Sequence, residues 1–215
     1  MLHEAETKKQ CAYYTKSTHN VYLTPKDKSL DDTHVMNRQV ISSKGCIATD
    51  QIPDDSILRK LYHDETFQKF LAMVFEVNHL FPYKDPLSSI NIHYASEGQE
   101  LGWHFDNSAF AITLMLQKPL DGGKFEYIPN LRTIDGNLDL EFQNIEKVLD
   151  GKLEPITLDI EPGMLLLFRG RTNLHRVTPV IGKTTRILVV FAYNENPDVE
   201  LSEEARLTFF GRKGY

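Results

Sequence analysis

The residues of this chain with the clearest chemical potential are two histidines and one aspartate. His104 and Asp106 stand two positions apart, and His175 follows much later in the chain. Two imidazoles and one carboxylate on one side of a metal form the ligand set of a mononuclear non-haem iron(II) site, whose other side stays open for a co-substrate and O2. The residue types and their order therefore predict His104, Asp106 and His175 as catalytic metal ligands.

His-x-Asp is a weak signal by itself, and the chain holds a similar pair, His63 and Glu65. Local structure separates the two pairs. On a strand, residues i and i+2 project from the same face, so His104 and Asp106 can bind one ion. His63 lies at the junction of two predicted helices, where i and i+2 diverge by roughly 200°. We therefore interpret His63 as a capping or surface residue, and we expect Gly102 to leave space beside the metal.

The elements around the ligands are predicted strands. Leu101, Trp103 and Phe105 alternate with Gly102 and His104, which predicts an apolar face opposite the ligand face. His175 follows a buried apolar run over residues 164–168 and begins the next predicted strand.

Arg186 lies near the start of a strand that is apolar on both faces, so we predict that it is buried. A buried guanidinium needs a partner, because an unpaired buried charge is very costly. A carboxylate that accepts two parallel hydrogen bonds is the natural partner. The alternative is a structural ion pair with a buried Asp or Glu.

Composition bounds the class of protein. The chain has 215 residues, 41% of them hydrophobic and 25% charged, with a net charge of −6. This length suits one domain, and the acidic balance disfavours a nucleic-acid groove, which needs a basic stripe. Cys11 and Cys46 form neither a zinc spacing nor a disulfide framework. No apolar run is long enough to span a membrane, and the polar N-terminus does not resemble a signal peptide. These features predict a cytoplasmic protein with reduced thiols.

The period of the hydrophobic residues divides the chain into stretches. We predict one domain with a leader or lid over residues 1–50, helices over 51–80, a β core over 87–195 and a C-terminal tail over 196–215. The predicted strands cover residues 89–94, 101–105, 109–117, 123–128, 154–160, 164–169, 175–180 and 185–193. Within the leader, residues 15–20 and 26–33 are expected to be loops, with a short extended piece at 21–23. The insertion at 133–151 is expected to be partly helical.

Three motifs carry a resemblance to a known family. They are GWHFDNSAF at 102–110, GGKFEYIP at 122–129 and FRGRTNLHRVTPV at 168–180. With the three ligands and Arg186, they resemble the iron(II)/2-oxoglutarate-dependent dioxygenases. More narrowly, they are similar to a subgroup that acts on free amino acids and contains lysine-type hydroxylases and radical halogenases. The resemblance runs from about residue 22 to residue 215. It implies a mainly β fold, a double-stranded β-helix (jelly roll) with an N-terminal helical layer packed on one sheet.

The same resemblance implies roles for further residues. Arg186 would hold the distal carboxylate of 2-oxoglutarate, and O2 would be the second co-substrate. Asn91 and Tyr94, on the preceding strand, are implied as further co-substrate contacts. Arg38 lies where subgroup members place a cation for the substrate's α-carboxylate; the alternative is a solvated loop arginine. Trp103 is a motif residue on the substrate side, for which packing is the alternative role.

The resemblance also implies a reaction. Halogenases of this type have Gly or Ala in place of the carboxylate ligand, and position 106 is Asp. We therefore expect hydroxylation of an unactivated C–H bond in a small substrate, a free amino acid or a derivative, with release of succinate and CO2. The alternatives are desaturation or ring formation, a protein substrate, or a non-catalytic cupin-like binding module. No nucleic-acid or membrane partner is expected, and a homodimer is left open.

Overall fold

The computed structural model of this chain describes residues 1–132 and 138–214. Its helices are α1 (Leu2–Lys8), α2 (Ile57–Tyr62), α3 (Glu65–Phe75), α4 (Leu138–Leu149) and α5 (Glu203–Phe210). Its strands are β1 (Tyr13–His19), β2 (Val40–Ile47), β3 (Phe81–Pro82), β4 (Ile90–Ala95), β5 (Leu101–His104), β6 (Ala111–Gln117), β7 (Asp121–Gly122), β8 (Phe125–Ile128), β9 (Ile156–Leu158), β10 (Leu165–Phe168), β11 (Leu174–Val177), β12 (Val180–Ile181), β13 (Arg186–Phe191) and β14 (Tyr193–Asn194). None of the described helices has the length and apolar character that crossing a membrane requires.

Most strands belong to one curled antiparallel sheet. Its strands are hydrogen-bonded in the order β10-β6-β13-β4-β2-β5-β11-β8-β9. β2 joins the two halves, because residues 45–47 pair with β4 whereas Ser42 pairs with β5. β1 pairs along the full length of β2. The two halves face each other, which is the mainly β jelly-roll architecture that the sequence predicted.

The predicted helical layer packs on the outer face of one half of this sheet. α3 begins after Asp64, whose carboxylate accepts a hydrogen bond from the Phe67 amide at 2.8 Å. Its buried face joins α1, α2 and strands β4 and β13 in one apolar core. The fully or nearly fully buried members of this core include Ala5, Leu58, Tyr62, Leu71, Phe75, Ile90, Ile92, Ile187, Val189 and Phe191. Each such large side chain contributes about 1.5–3 kcal/mol relative to exposure, which holds the helices on the sheet.

Strands β4 and β13 present a different set of side chains to the inside of the barrel. Their pairing places Arg186 opposite Ala95 and Leu188 opposite His93. Since side chains alternate across a strand, these residues face away from the helical layer. One strand pair therefore serves both the apolar core and the polar interior.

The leader differs from the prediction. Strand β1 covers most of the loop that was expected at 15–20, and β2 lies where no strand was predicted. Residues 21–23, expected to be extended, include a turn. β1 shows no apolar alternation because it is an outer strand whose residues are exposed or half-buried on both faces. The other elements agree better with the sequence. α4 lies within the insertion that was expected to be partly helical, and residues 133–137 of that insertion lie outside the described residues.

Candidate metal centre

The three predicted ligands lie together inside the barrel. His104 ends β5 and is the cross-strand partner of His175 on β11, and Asp106 follows His104 by two residues. Oδ1 of Asp106 lies 3.6 Å from Nε2 of His104 and 3.5 Å from Nε2 of His175. All three potential ligand atoms fall within 4.8 Å of one another. These three side chains are therefore close enough to bind one metal ion together.

A β-bulge decides which residues of β5 face inward. β11 pairs His175 with His104 and Val177 with Leu101, so three steps along β5 match two along β11. Leu101 therefore packs with Val177 inside the barrel, whereas Trp103 packs in a separate outer cluster. The prediction that Leu101 shares an outward apolar face with Trp103 is wrong, because the regular alternation of side chains breaks at a bulge.

Gly102 packs against a neighbouring strand and does not leave space beside the metal. A Cβ at this position would lie 2.7 Å from the carbonyl oxygen of Ile41 and from Cγ2 of Val40. The missing side chain thus allows β2 to approach β5 closely. The prediction for Gly102 is wrong, because its side-chain position faces β2.

Backbone carbonyls orient both imidazoles. Nδ1 of His104 donates to the carbonyl of Gly102 at 2.7 Å, and Nδ1 of His175 donates to the carbonyl of Asn173 at 2.9 Å. Because a carbonyl only accepts, each Nδ1 carries the proton and each Nε2 keeps a lone pair for a metal. Burial, together with the neighbouring His175, lowers the pKa of His104 and favours its neutral form.

The loop between β10 and β11 positions the carboxylate. The Asp106 amide donates to the carbonyl of Gly170 at 3.0 Å, and a Cβ on Gly170 would lie 1.8 Å from Oδ2 of Asp106. The side chain of Asn173 donates to the carbonyl of Arg169 at 2.7 Å, which braces the loop that also supports His175. Burial by itself raises the pKa of Asp106, but the two imidazoles hold it well below its ordinary value. Asp106 is therefore an ionised carboxylate that packs directly against Gly170.

A chain of hydrogen bonds leads from His104 into the leader. The amide of Gly102 donates to Oγ of Ser42 at 3.0 Å, and that hydroxyl is 2.6 Å from Nε2 of His19. Nδ1 of His19 is 2.9 Å from the carbonyl of Asn20 and must be its donor, so Nε2 accepts the Ser42 hydroxyl. The leader thereby braces the strand that carries His104.

Lys44, His93 and Arg186 form an inner cationic cluster that lines one narrow cavity. Arg186 is 6% exposed, and its buried Nε has no hydrogen-bond partner among the described residues. Burial lowers the pKa of Arg186 to about 10, which leaves it charged at neutral pH. Burial, then the charges of Lys44 and Arg186, lower the pKa of His93 well below its ordinary value, which makes this imidazole neutral. Burial lowers the pKa of Lys44 as well, and the charges of Cys46 and Asp106 oppose that shift. The cluster thus presents two basic groups, Lys44 and Arg186, to the cavity.

The other two predicted co-substrate contacts, Asn91 and Tyr94, have hydrogen bonds to backbone carbonyls. The side-chain Nδ2 of Asn91 donates to the carbonyls of Leu87 and Ile90, at 2.7 and 3.0 Å. Tyr94 is fully buried in the outer core, where its hydroxyl donates to the carbonyl of Ala5 at 2.7 Å. Tyr94 points outward because it is one residue from His93, and neighbouring residues of a strand face opposite sides. The co-substrate role predicted for Tyr94 does not agree with its outward position. The role of Asn91, which shares the inner face with His93, stays a prediction.

The two predicted substrate contacts also have structural partners. Nη1 of Arg38 lies 2.7 Å from Oδ1 of Asp150, just beyond α4, so this guanidinium is already paired. Trp103 is buried in the outer cluster, and the guanidinium of Arg176 lies 4.7 Å from the centre of its ring. Trp103 thus packs, which is the alternative that the sequence left open, whereas Arg38 forms an ion pair that was not among the predicted alternatives.

Several site residues were missed in the sequence. Lys44 and Ser42 lie in the polar leader, where only the alternation of Ser42, Lys44 and Cys46 pointed to a strand. Gly170 carries no signal of its own, because its role depends on Asp106, which is distant in sequence. His63 ends α2 as a capping residue, as the sequence predicted.

The donor set fits iron(II) and a dicarboxylate. Ligand atoms about 2.1 Å from one ion lie roughly 3 Å apart, so a small inward movement of His104, Asp106 and His175 would seat a metal. Two nitrogens and one carboxylate suit iron(II) with open positions. The unpaired Nε of Arg186 fits a carboxylate partner. These four residues would hold the iron and 2-oxoglutarate.

Comparisons with known proteins agree with this fold. A 2OG-Fe(II) oxygenase family oxidoreductase from Burkholderia pseudomallei matches with a TM-score of 0.52 and 16% identity, covering 91% of this chain and 79% of that one. AviO1 from Streptomyces viridochromogenes Tue57 matches with a TM-score of 0.52 and 14% identity, covering 84% of this chain and 73% of that one. At these identities, the two structures establish the fold alone. No curated protein matches the chain. The family model of Halogenase D matches residues 8–209, and the chain belongs to this family.

Proposed function

We propose that this protein is an iron(II)- and 2-oxoglutarate-dependent dioxygenase that hydroxylates an unactivated C–H bond of a small substrate. One observation carries the proposal: a His-Asp-His ligand set shares a barrel with the buried Arg186, whose Nε has no hydrogen-bond partner among the described residues. When bound, iron and 2-oxoglutarate would supply the oxidising power, with O2 consumed and succinate and CO2 released.

In this proposal, the protein binds, orients and excludes water. His104 and His175 offer Nε2 atoms whose direction is set by Nδ1 hydrogen bonds to carbonyls. Asp106 adds one negative charge, and two imidazoles keep it ionised. The rings of Phe125 and Phe168, with centroids 5.5 and 5.0 Å from that of His175, form an apolar wall. This wall would keep water from one side of the metal.

Asp106 favours hydroxylation over halogenation. A halide bound to the metal would need the ligand position that this carboxylate occupies. The Gly170 carbonyl accepts from the Asp106 amide, and the glycine leaves room for the carboxylate, so the surroundings are built for the aspartate. We therefore propose hydroxylation even though the family carries the name Halogenase D.

The substrate class that we propose is a free amino acid or a derivative. Support comes from membership of the Halogenase D family and from the motifs around the three ligands. Desaturation or ring formation would use the same ligands with a different substrate pose, and the products distinguish them. A protein-modifying oxygenase would turn over peptides in preference to free amino acids. A cupin-like binding module would form no succinate.

The proposal is tested in two stages. The protein is first titrated without O2 with iron(II) and then 2-oxoglutarate, and the charge-transfer band of the iron–2-oxoglutarate complex is recorded. O2 is then admitted with a panel of free amino acids, with chloride present. We expect succinate together with a mass gain of one oxygen atom in one substrate.

A pair of matched variants provides the control. His104→Ala should abolish both the band and succinate formation, whereas His63→Ala, which changes a helix-capping histidine outside the site, should leave both unchanged. Undiminished succinate from His104→Ala would refute the metal assignment. A chlorinated main product from the wild-type protein would refute hydroxylation.

A further inference from the structure

Lys44 has no assigned role, yet its ammonium group lies in the interior. Lys44 is two residues from Cys46, which pairs with His93 on β4, so its side chain shares the inner face with His93. Nζ lies 3.2 Å from Nε2 and 3.4 Å from Nδ1 of that imidazole. The same cavity is lined by Arg186. Strands β2, β4 and β13 thus bring two cations to one place.

Neither basic group forms an ion pair with a carboxylate among the described residues, although the more distant charge of Asp106 acts on Lys44. No described carboxylate lies within 4 Å of the charged nitrogens of Lys44 or Arg186. Glu100 lines the same cavity and is half-buried; its carbonyl accepts from the Ser43 amide, and its amide donates to Oγ of Ser43. A second cation beside a buried, unpaired guanidinium is unfavourable unless an anion binds both.

The position of the cavity relative to the metal ligands fits a short dicarboxylate. The cavity is also lined by Leu101 and Val177. These two residues form the next cross-strand pair along β5 and β11 after His104 and His175. Two residues along a strand span about 6.5 Å. The terminal carbons of an extended five-carbon chain are roughly 5 Å apart, from four C–C bonds. An extended 2-oxo acid bound at the metal is therefore about as long as the strand distance between the metal ligands and the residues that line the cavity.

We propose that Lys44 is a second anchor for the distal carboxylate of 2-oxoglutarate, one oxygen facing Lys44 and the other facing Arg186. This inference rests on the proposed function. His93 is the neutral neighbour that orients the ammonium group without competing for the anion. Lys44 thereby selects dicarboxylate over monocarboxylate 2-oxo acids.

The test compares two ligands that differ only at the distal end. 2-Oxoglutarate and 2-oxopentanoate, which has a methyl group in place of the distal carboxylate, are titrated without O2 into the iron(II) protein. Kd is read from the charge-transfer band. For Lys44→Met, we expect the Kd of 2-oxoglutarate to rise about 10- to 100-fold, the usual effect of losing a charged hydrogen bond. The Kd of 2-oxopentanoate should stay within about twofold. Lys44→Arg, which keeps the charge, should retain part of the preference.

Controls separate this role from a structural one. Lys16→Met removes an exposed lysine of β1 and should change neither Kd. If Lys44→Met does not fold, Lys44→Gln serves in its place, and iron(II) binding and thermal unfolding are measured for every variant. Unchanged 2-oxoglutarate affinity, or equal loss for both ligands, would overturn the role of Lys44 while leaving the proposed function intact. Absence of the band in the wild-type protein would overturn the proposed function, and this inference with it.

Discussion

Gly170→Ala tests how the β10–β11 loop positions the carboxylate ligand. The added Cβ would lie 1.8 Å from Oδ2 and 2.5 Å from Cγ of Asp106. Since real Cβ atoms essentially never approach closer than 3.0 Å, the oxygen must move by at least 1.2 Å, the difference between 3.0 and 1.8 Å. The side chain of Asp106 is 23% exposed, so it can turn toward solvent without forcing the fold apart.

The expected result is a large loss of metal binding with a small loss of stability. Functional groups must be held within about 0.5 Å, and a displacement of about 1 Å costs roughly 100-fold. We therefore expect the iron(II) affinity of Gly170→Ala to fall at least about 100-fold. Its free energy of unfolding should fall by about 1 kcal/mol or less, roughly 2–4 °C in Tm. Anaerobic competition with a chromogenic iron(II) chelator measures the first quantity, and thermal unfolding of the metal-free protein measures the second.

Two controls make this prediction specific. In Gly45→Ala the new Cβ meets the ring of Tyr14, which is 45% exposed and can swing away, so iron affinity should stay unchanged. In an Asp106→Gly background no carboxylate remains, so Gly170→Ala should no longer affect Tm. Wild-type iron affinity in Gly170→Ala, or an equal loss in Gly45→Ala, would refute the reasoning.

Three other predictions follow from contacts outside the three ligands. Ser42→Ala breaks the hydrogen-bond chain that supports His104 on β5 and should weaken iron(II) binding about 10-fold. Iron(II) affinity equal to that of the wild-type protein, measured by chelator competition, would contradict this prediction. Asp85→Ala removes the fully buried ion-pair partner of Arg206. It should lower the free energy of unfolding, measured with denaturant, by about 3–5 kcal/mol. Asp198→Ala breaks the exposed ion pair with Lys84 and should lower the free energy of unfolding by less than about 1 kcal/mol. Similar losses in the two variants would refute the claim that burial makes the Asp85 pair more important. Burial raises the pKa of Cys46 to about 11, so at pH 8 only about one molecule in a thousand has a thiolate there. Iodoacetamide should therefore modify Cys11 alone in the folded protein and both cysteines after unfolding, as read by mass; two modifications in the folded state would contradict this.

Local pattern was enough to predict most of the fold. Each of the eight predicted strands overlaps an observed one, because the side chains of a half-buried strand repeat every two residues. The helical stretch was equally clear, since Leu71 and Phe75 recur one turn apart on one face. β1 and β2 were missed because their polar side chains carry no apolar period. The bulge at Leu101 was also missed, since an extra residue has no distinct composition.

The sequence by itself determined the ligand types, their order and the charged carboxylate at 106, because residue identity and strand alternation are local properties. It also indicated that Arg186 would be buried. Only the tertiary structure decided which residues surround those ligands. Lys44 reaches His93 through the pairing of β2 with β4, and Gly170 meets Asp106 across a loop 64 residues away in the chain. The same packing turned Tyr94 outward to Ala5 and paired Arg38 with Asp150. These relations depend on register and on long-range strand pairing, and neither is encoded in the spacing of any single motif.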